Sequence, residues 1–309
     1  LCLVAIADLL RDLVTFERVT IVLVLCSFAH AIIGMNTIGS GDSRMYGLIN
    51  QPNILGVQLS FGMIPLAAWM LRTRNFSYRS MLALVFSLIL LSVVLTMSRG
   101  TYVALTLAFL WWFRGSRQML LGVSIVGALA FALLGSFAGE RVERIEQRLE
   151  FNDSSVTNRG VVAGNAAKAV MHNPFLGVGF GQFSDLDKVI SVTAEKGRGA
   201  HNFYLGTAAS SGLPALICLL LFAFGQARRI QNDRRRIMLS EHPDKARIDW
   251  LLTTVQIIMI FHVVNLGMRG SQRLTEWAML SLYAAAALLV TDQLQKRVTT
   301  DSVDESAEP

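Results

Sequence analysis

Four short clusters of polar residues interrupt an otherwise apolar chain: Arg44 with Pro52 and Asn53, Ser98 with Arg99 and Gly100, Asn158 with Arg159, and His201 with Asn202. An arginine fork gives bidentate, charge-assisted hydrogen bonds to phosphate and keeps its proton at any ordinary pH. A histidine, with an ordinary pKa of about 6.5, can take a proton from a sugar hydroxyl near neutrality. The residue types therefore suit an anionic ligand, with a lipid diphosphate as the obvious anion, and a hydroxyl as the second reactant. Singly they say less. An arginine at a membrane interface is more often a snorkelling anchor, and a lone loop histidine is more often a surface hydrogen-bonding group. The weight of the set comes from its shared position, at the ends of apolar runs and in one long loop.

The elements that must position these residues follow from composition. The chain has 309 residues, 53% hydrophobic and 16% charged, where a soluble domain carries about 25% charged residues. Mean hydropathy is +0.47. This balance excludes ordinary soluble, disordered, collagen-like and disulfide-framework classes. An all-α, polytopic membrane protein remains. Apolar runs long enough to cross a bilayer lie at 19–35, 54–71, 81–97, 119–139, 203–225, 250–268 and 274–291, with a shorter one at 101–113. Within these eight runs the only Asp, Glu, Lys or Arg is Glu276, as expected when an ionised side chain costs about 3 kcal/mol at mid-membrane. The chain opens with Leu1 inside an apolar run, which reads as an N-terminus cut within an earlier helix.

Lys and Arg in the gaps orient the spans. Taken alternately, one set of gaps (1–18, 72–80, 114–118, 226–249 and the tail) holds 16, and the short gaps opposite hold 4, namely Arg44, Arg99, Arg269 and Arg273. The positive-inside preference places the first set in the cytoplasm. The net charge of +6 is then a topology signal, and nucleic acid is not an expected partner. The gap 140–202 carries 8 basic and 8 acidic residues, and parity places it outside. The expected organisation is N-terminal spans over 1–139, an extracytoplasmic loop over 140–202, C-terminal spans over 203–291 and a disordered cytoplasmic tail over 292–309. Within the loop, the alternating charges of Glu140 to Glu150 suggest a solvated helix. A second helix is expected over 157–172, capped by Thr157 or Ser155, with Pro174 just past its end.

Other features read more plainly. The Gly177, Gly179, Gly181 run has no preceding strand and is a tight turn that folds Phe183 back toward the membrane. His30, His262 and Asn265 lie inside spans without acidic neighbours at helical spacing, which suits helix-to-helix hydrogen bonds. Arg234, Arg235 and Arg236 anchor the topology. Cys2, Cys26 and Cys218 fall in apolar runs without metal or redox spacing. There is no phosphate-binding loop, zinc-like cluster or pair of aspartates, so neither cofactor nor metal is expected.

The order of motifs carries a resemblance. Arg44-Met-Tyr-Gly47 is followed by Gln51-Pro-Asn53, Thr96-Met-Ser-Arg99-Gly100, Asn158-Arg159, Asn173-Pro-Phe-Leu-Gly177 running on to Phe183, His201-Asn-Phe-Tyr204, and Gly212-Leu-Pro214. Over about residues 40–225 the chain resembles the bacterial O-antigen ligase and O-antigen polymerase superfamily. The resemblance implies a metal-independent GT-C-type glycosyltransferase of lipopolysaccharide or polysaccharide biosynthesis, in the bacterial inner membrane. Its active site would face the periplasm. It would transfer a glycan from an undecaprenyl-diphosphate-linked donor to a hydroxyl of lipid A core, or to another glycan, with membrane lipids as surroundings. Arg99 and Arg159 would handle the diphosphate and His201 would act as base on the acceptor, while Arg44, Asn53, Ser98 and Asn202 would bind substrate. Two departures concern acceptor geometry: Val161 to Asn165 lacks the aromatic residue often found there, and Ser210 and Ser211 stand where an acid often precedes the later glycine.

A transporter or flippase of lipid-linked saccharides is the alternative. It should show midplane breaks and an internal repeat, whereas the polar candidates here gather at one face. A structural scaffold would leave the ordered outer motifs without a purpose.

Overall fold

The structure, a computed structural model, describes residues 13–37, 45, 48, 51–116, 154–179, 182–183 and 202–268. Seven helices make up most of these: α1 (Leu13–Met35), α2 (Pro52–Arg72), α3 (Phe76–Leu95), α4 (Arg99–Phe113), α5 (Ser154–His172), α6 (Phe203–Leu239) and α7 (Lys245–Gly267). No strand occurs among the described residues. Five of the helices, α1, α2, α3, α6 and α7, are long and apolar enough to cross a membrane. The protein is a multi-pass membrane protein. These five carry the runs expected at 19–35, 54–71, 81–97, 203–225 and 250–268, while the run 101–113 forms the 15-residue α4. The expected spans at 119–139 and 274–291, the charged stretch 140–150 and the tail 292–309 lie outside the described residues.

Backbone chemistry explains why the apolar runs are helical, because in lipid every N–H and C=O must find a partner inside the segment. Local signals then set the ends. Pro52 occupies the first turn of α2, where its missing N–H is no loss. Asn75 caps α3, its Oδ1 accepting from the Tyr78 N–H at 3.1 Å. Hydroxyls inside the apolar helices donate back to their own backbone: Thr20 to the Phe16 carbonyl, Ser60 to Gly56 and Ser92 to Leu88. Each therefore stays satisfied away from water.

The chain divides into two compact units. The first holds α1, α2 and α3 with residues 223–260 of α6 and α7. In it α2 is mostly buried, with α1 and α3 packed on it and against each other. The α1–α2 crossing is close: the Ser27 hydroxyl donates to the Gln58 carbonyl at 2.9 Å, and a Cβ on Gly62 would stand 2.3 Å from that hydroxyl. Small residues at such a crossing let backbones approach. Charged pairs gather at the ends of α6 and α7. Arg234 donates to Asp249 at 2.8 Å and to Gln256 at 3.0 Å, and Arg247 donates through Nε and Nη2 to both carboxylate oxygens of Glu17 on α1.

The second unit holds residues 102–222 and 261–272. Val162, Ala166 and Ala169 recur at helical spacing on α5 and bury a stripe with Phe183 and Ala209. The loop helix begins at Ser154, three residues before the expected Thr157, and ends at His172 as expected. Helix α6 runs 37 residues, well beyond the expected span, with a break at Gly212 (φ 84°, ψ 170°). The gap expected at 226–249 is thus helical to Leu239, because Gln226 to Leu239 contains neither glycine nor proline.

Candidate functional site

In the first unit the candidate residues stand around the turn that joins α3 to α4. Thr96 ends α3, its N–H donating to the Ser92 and Val93 carbonyls and its hydroxyl to Val93 at 2.7 Å. Met97 then takes a left-handed conformation (φ 51°), unusual for a residue with a side chain. This reverses the chain in three residues, and α4 starts at Arg99. The Thr101 hydroxyl reaches back to donate to Ser98 Oγ at 2.9 Å. Thr96, Ser98 and Thr101 are all buried.

The surface under this turn is Gly56 of α2. A Cβ there would stand 3.0 Å from the hydroxyls of both Thr96 and Thr101 and 3.4 Å from Ser98 Cβ. Only a hydrogen leaves those hydroxyls undisturbed. Met45, buried to 1% exposure, is fastened to the end of α3, its N–H donating to the Leu95 carbonyl at 3.0 Å. Asn53 is half-buried one turn before Gly56.

Arg99 is therefore an exposed cation carried on a rigid, hydroxyl-lined turn at the start of a helix whose first turn holds no acid. The positive end of the helix dipole adds to its charge, and the combination favours an anion there. Asn53 thus lies in the first turn of α2, one turn before the glycine on which Ser98 packs, and Arg99 follows Ser98 in the chain. Arg44 lies outside the described residues, next in sequence to Met45.

In the second unit, α5 carries Asn158 and Arg159 in its first turns. Arg159 precedes Val162 by three residues and Ala166 by seven, so its Cα stands on the face that α5 buries. Asn202 caps α6: its Oδ1 accepts from the Leu205 N–H at 3.1 Å and its carbonyl from the Gly206 N–H at 2.9 Å. His201 lies outside the described residues, adjacent in the chain to that cap.

Between α5 and α6 the backbone forms a clasp. Pro214 has no N–H, so the Ser210 carbonyl has no helical donor, and the Gly212 break turns the Leu213 N–H away from Ala209. The segment after α5 supplies what is missing. Val178 donates to Ala209 at 2.8 Å, Gly179 to Ser210 at 3.0 Å, and Leu213 to Pro174 at 2.7 Å. The approach is tight enough to require glycine. A Cβ on Gly212 would lie 2.1 Å from the Phe175 carbonyl oxygen, and one on Gly177 (φ 66°) would lie 2.5 Å from the Ser210 carbonyl carbon. Phe183 is folded back and buried, as expected for a tight turn. Further along, the Tyr204 hydroxyl donates to the Val263 carbonyl at 2.6 Å.

The sequence quoted Thr96, Gly100 and Gly212 as pattern without assigning them work, and it missed Gly56 and Thr101. The signal was present in part: a glycine three residues after Asn53, and hydroxyls on both sides of the Ser98-Arg99 pair. Among the described residues no group of three or more His, Cys, Asp or Glu could hold a metal ion.

Residues 82–220 match the family model described as O-antigen ligase. The match takes in Ser98, Arg99, Arg159, His201, Asn202 and the clasp glycines Gly177, Gly179 and Gly212, and leaves out Arg44, Asn53 and Gly56. The match bears out the resemblance read from the motifs over this segment and supports glycan transfer of the O-antigen ligase type in general. Among curated proteins none matches the chain.

Proposed function

We propose, on the premise that residues 82–220 are of the O-antigen ligase family, that the chain is a GT-C-type glycosyltransferase of the bacterial inner membrane working at its periplasmic face. The donor is a glycan on undecaprenyl diphosphate, and the acceptor is a hydroxyl of lipid A core or of another glycan. The observation that supports this most is the buried turn that holds Arg99 at the head of α4, inside the matched segment.

In the proposed reaction the acceptor oxygen forms a bond to the anomeric carbon while the bond from that carbon to the diphosphate oxygen breaks. The electron pair leaves with the diphosphate, and the acceptor proton passes to His201. Negative charge develops on the departing group, where fixed guanidinium groups stabilise it without reorganising. Arg99 and Arg159 fill that role, so the reaction needs no metal. Ser98, next to Arg99 in the chain, and Asn53, Arg44 and Asn202 are positional contributors.

Deleting the gene and running the surface glycan on a gel tests the reading. Loss of ligation leaves full-length polymer on its lipid, loss of polymerisation leaves single repeats, and an unchanged glycan overturns the proposal. Arg99→Lys keeps charge but loses the bidentate fork, so donor binding should weaken by about 1.5 to 3 kcal/mol. His201→Ala should still bind donor while transfer falls by roughly 10² to 10⁴. Near-normal transfer in His201→Ala would remove it as the base. Purified enzyme should keep its rate in excess chelator.

A further inference from the structure

The clasp between the segment after α5 and the broken part of α6 has an outer surface that solvent does not suit. Phe175 is 76% exposed and Leu176 84% exposed, side by side at the tip of the turn. Behind them the turn is fastened to α6 through Leu213, and α6 continues into the exposed apolar residues Ile217, Leu220 and Leu221. On a membrane-crossing helix, that apolar stripe faces lipid.

The depth follows from counting. Arg228 is the first charged residue after the apolar stretch of α6 and marks one edge of the hydrocarbon. About 20 helical residues cross the core, which puts the other edge near residue 208. Gly212 then lies roughly one turn inside. At that depth a helix break exposes backbone groups to lipid unless other backbone satisfies them. The three hydrogen bonds of the clasp do this for Ala209, Ser210 and Leu213.

We infer that Pro174 to Val178 is a re-entrant wedge seated in the outer part of the bilayer, with Phe175 and Leu176 in contact with acyl chains. The occupant of this exposed apolar surface is membrane lipid, by continuity with the lipid-facing stripe of α6. The wedge tethers the C-terminal end of α5 to the membrane, whatever reaction the protein catalyses.

The full chain, with Cys2, Cys26 and Cys218 replaced by Ala, would carry a single cysteine in the variants Phe175→Cys, Leu176→Cys and Lys168→Cys. Each is labelled with a nitroxide in nanodiscs of phosphatidylethanolamine and phosphatidylglycerol. Lys168 is the control, exposed on α5. Labels at 175 and 176 should be relaxed more by oxygen, which partitions into lipid, than by a water-soluble nickel chelate, with the order reversed at 168. Relaxation by the chelate at 175 and 176 as strong as at 168 overturns the inference. So does protection from both reagents, which would mean that protein covers the pair. Should the cysteine variants fail to fold, Phe175→Trp keeps the aromatic bulk. Its added fluorescence should be quenched by brominated lipids, and an unquenched signal overturns the inference equally.

Discussion

The turn at Thr96 to Thr101, which carries Arg99, and the clasp at Pro174 to Gly179, which is fastened to α6, are built from different materials. The first is made of side chains: the buried Thr96 and Thr101 hydroxyls and Ser98 Cβ packed on Gly56, with Met97 in a left-handed conformation that its own side chain opposes. The second is made of backbone, with N–H and C=O groups paired across a gap that only glycine leaves open. Hydroxyls can rotate or shift a few tenths of an ångström, whereas a backbone carbonyl at 2.1 Å cannot give way without moving its helix. The turn that carries Arg99 should therefore respond to substitution by degrees, and the clasp should fail as a unit.

Gly212→Ala should have the largest effect. Its backbone conformation alone, in a region essentially confined to glycine, costs another residue about 1–3 kcal/mol, and the new Cβ collides with Phe175. A loss of about 3 kcal/mol or more, read as collapse of thermal stability in detergent or as loss of folded protein, is expected. A mild effect would show that the clasp is adaptable and break the contrast.

Gly56→Ala comes next, at roughly 1–3 kcal/mol for overpacking. Because the two hydroxyls it presses belong to the turn that carries Arg99, donor binding should weaken while the protein stays folded. Measuring both stability and donor affinity separates a displaced turn from a damaged core, and a collapse equal to that of Gly212→Ala would erase the difference between the regions.

Thr101→Val keeps shape and removes the hydrogen bond to Ser98. It should cost about 1 kcal/mol with a small fall in transfer rate, and the double variant with Ser98→Ala should add little further if the pair acts as one unit.

Met97→Gly sits at the small end. Relief of the left-handed conformation, about 1 kcal/mol, is offset by the greater flexibility of the unfolded chain and the lost packing of a half-buried side chain. The net change in melting should be close to zero. A large destabilisation would mean that the Met97 side chain, and not the hydroxyls, holds the turn.

Much of this architecture could be read before any coordinates. Each described apolar run of span length became a helix, and the loop helix stopped at His172, ahead of Pro174 as its signals indicated. Asn53, Ser98 and Arg99 were legible as three span-end residues, though the packing of Ser98 with Thr96 and Thr101 over Gly56 was not. Helix α6 starts at Phe203 as expected but departs from the reading in two other respects. Its charged half still propagates as helix, since nothing between Gln226 and Leu239 breaks it, and the apolar half conceals a break at Gly212.

Membrane class and the helical state of the spans were determined by the sequence alone, because transfer into lipid sums over local composition and a spanning segment must satisfy its backbone from within. The turn beneath Arg99 and the clasp were decided only in three dimensions. Gly56 and Gly212 are identical letters in the chain. The first is required by two hydroxyls, one at the end of α3 and one in α4, and the second by a carbonyl from a loop far away in sequence. Neither requirement exists until the partner segment arrives, which is why the local pattern carried only part of the signal.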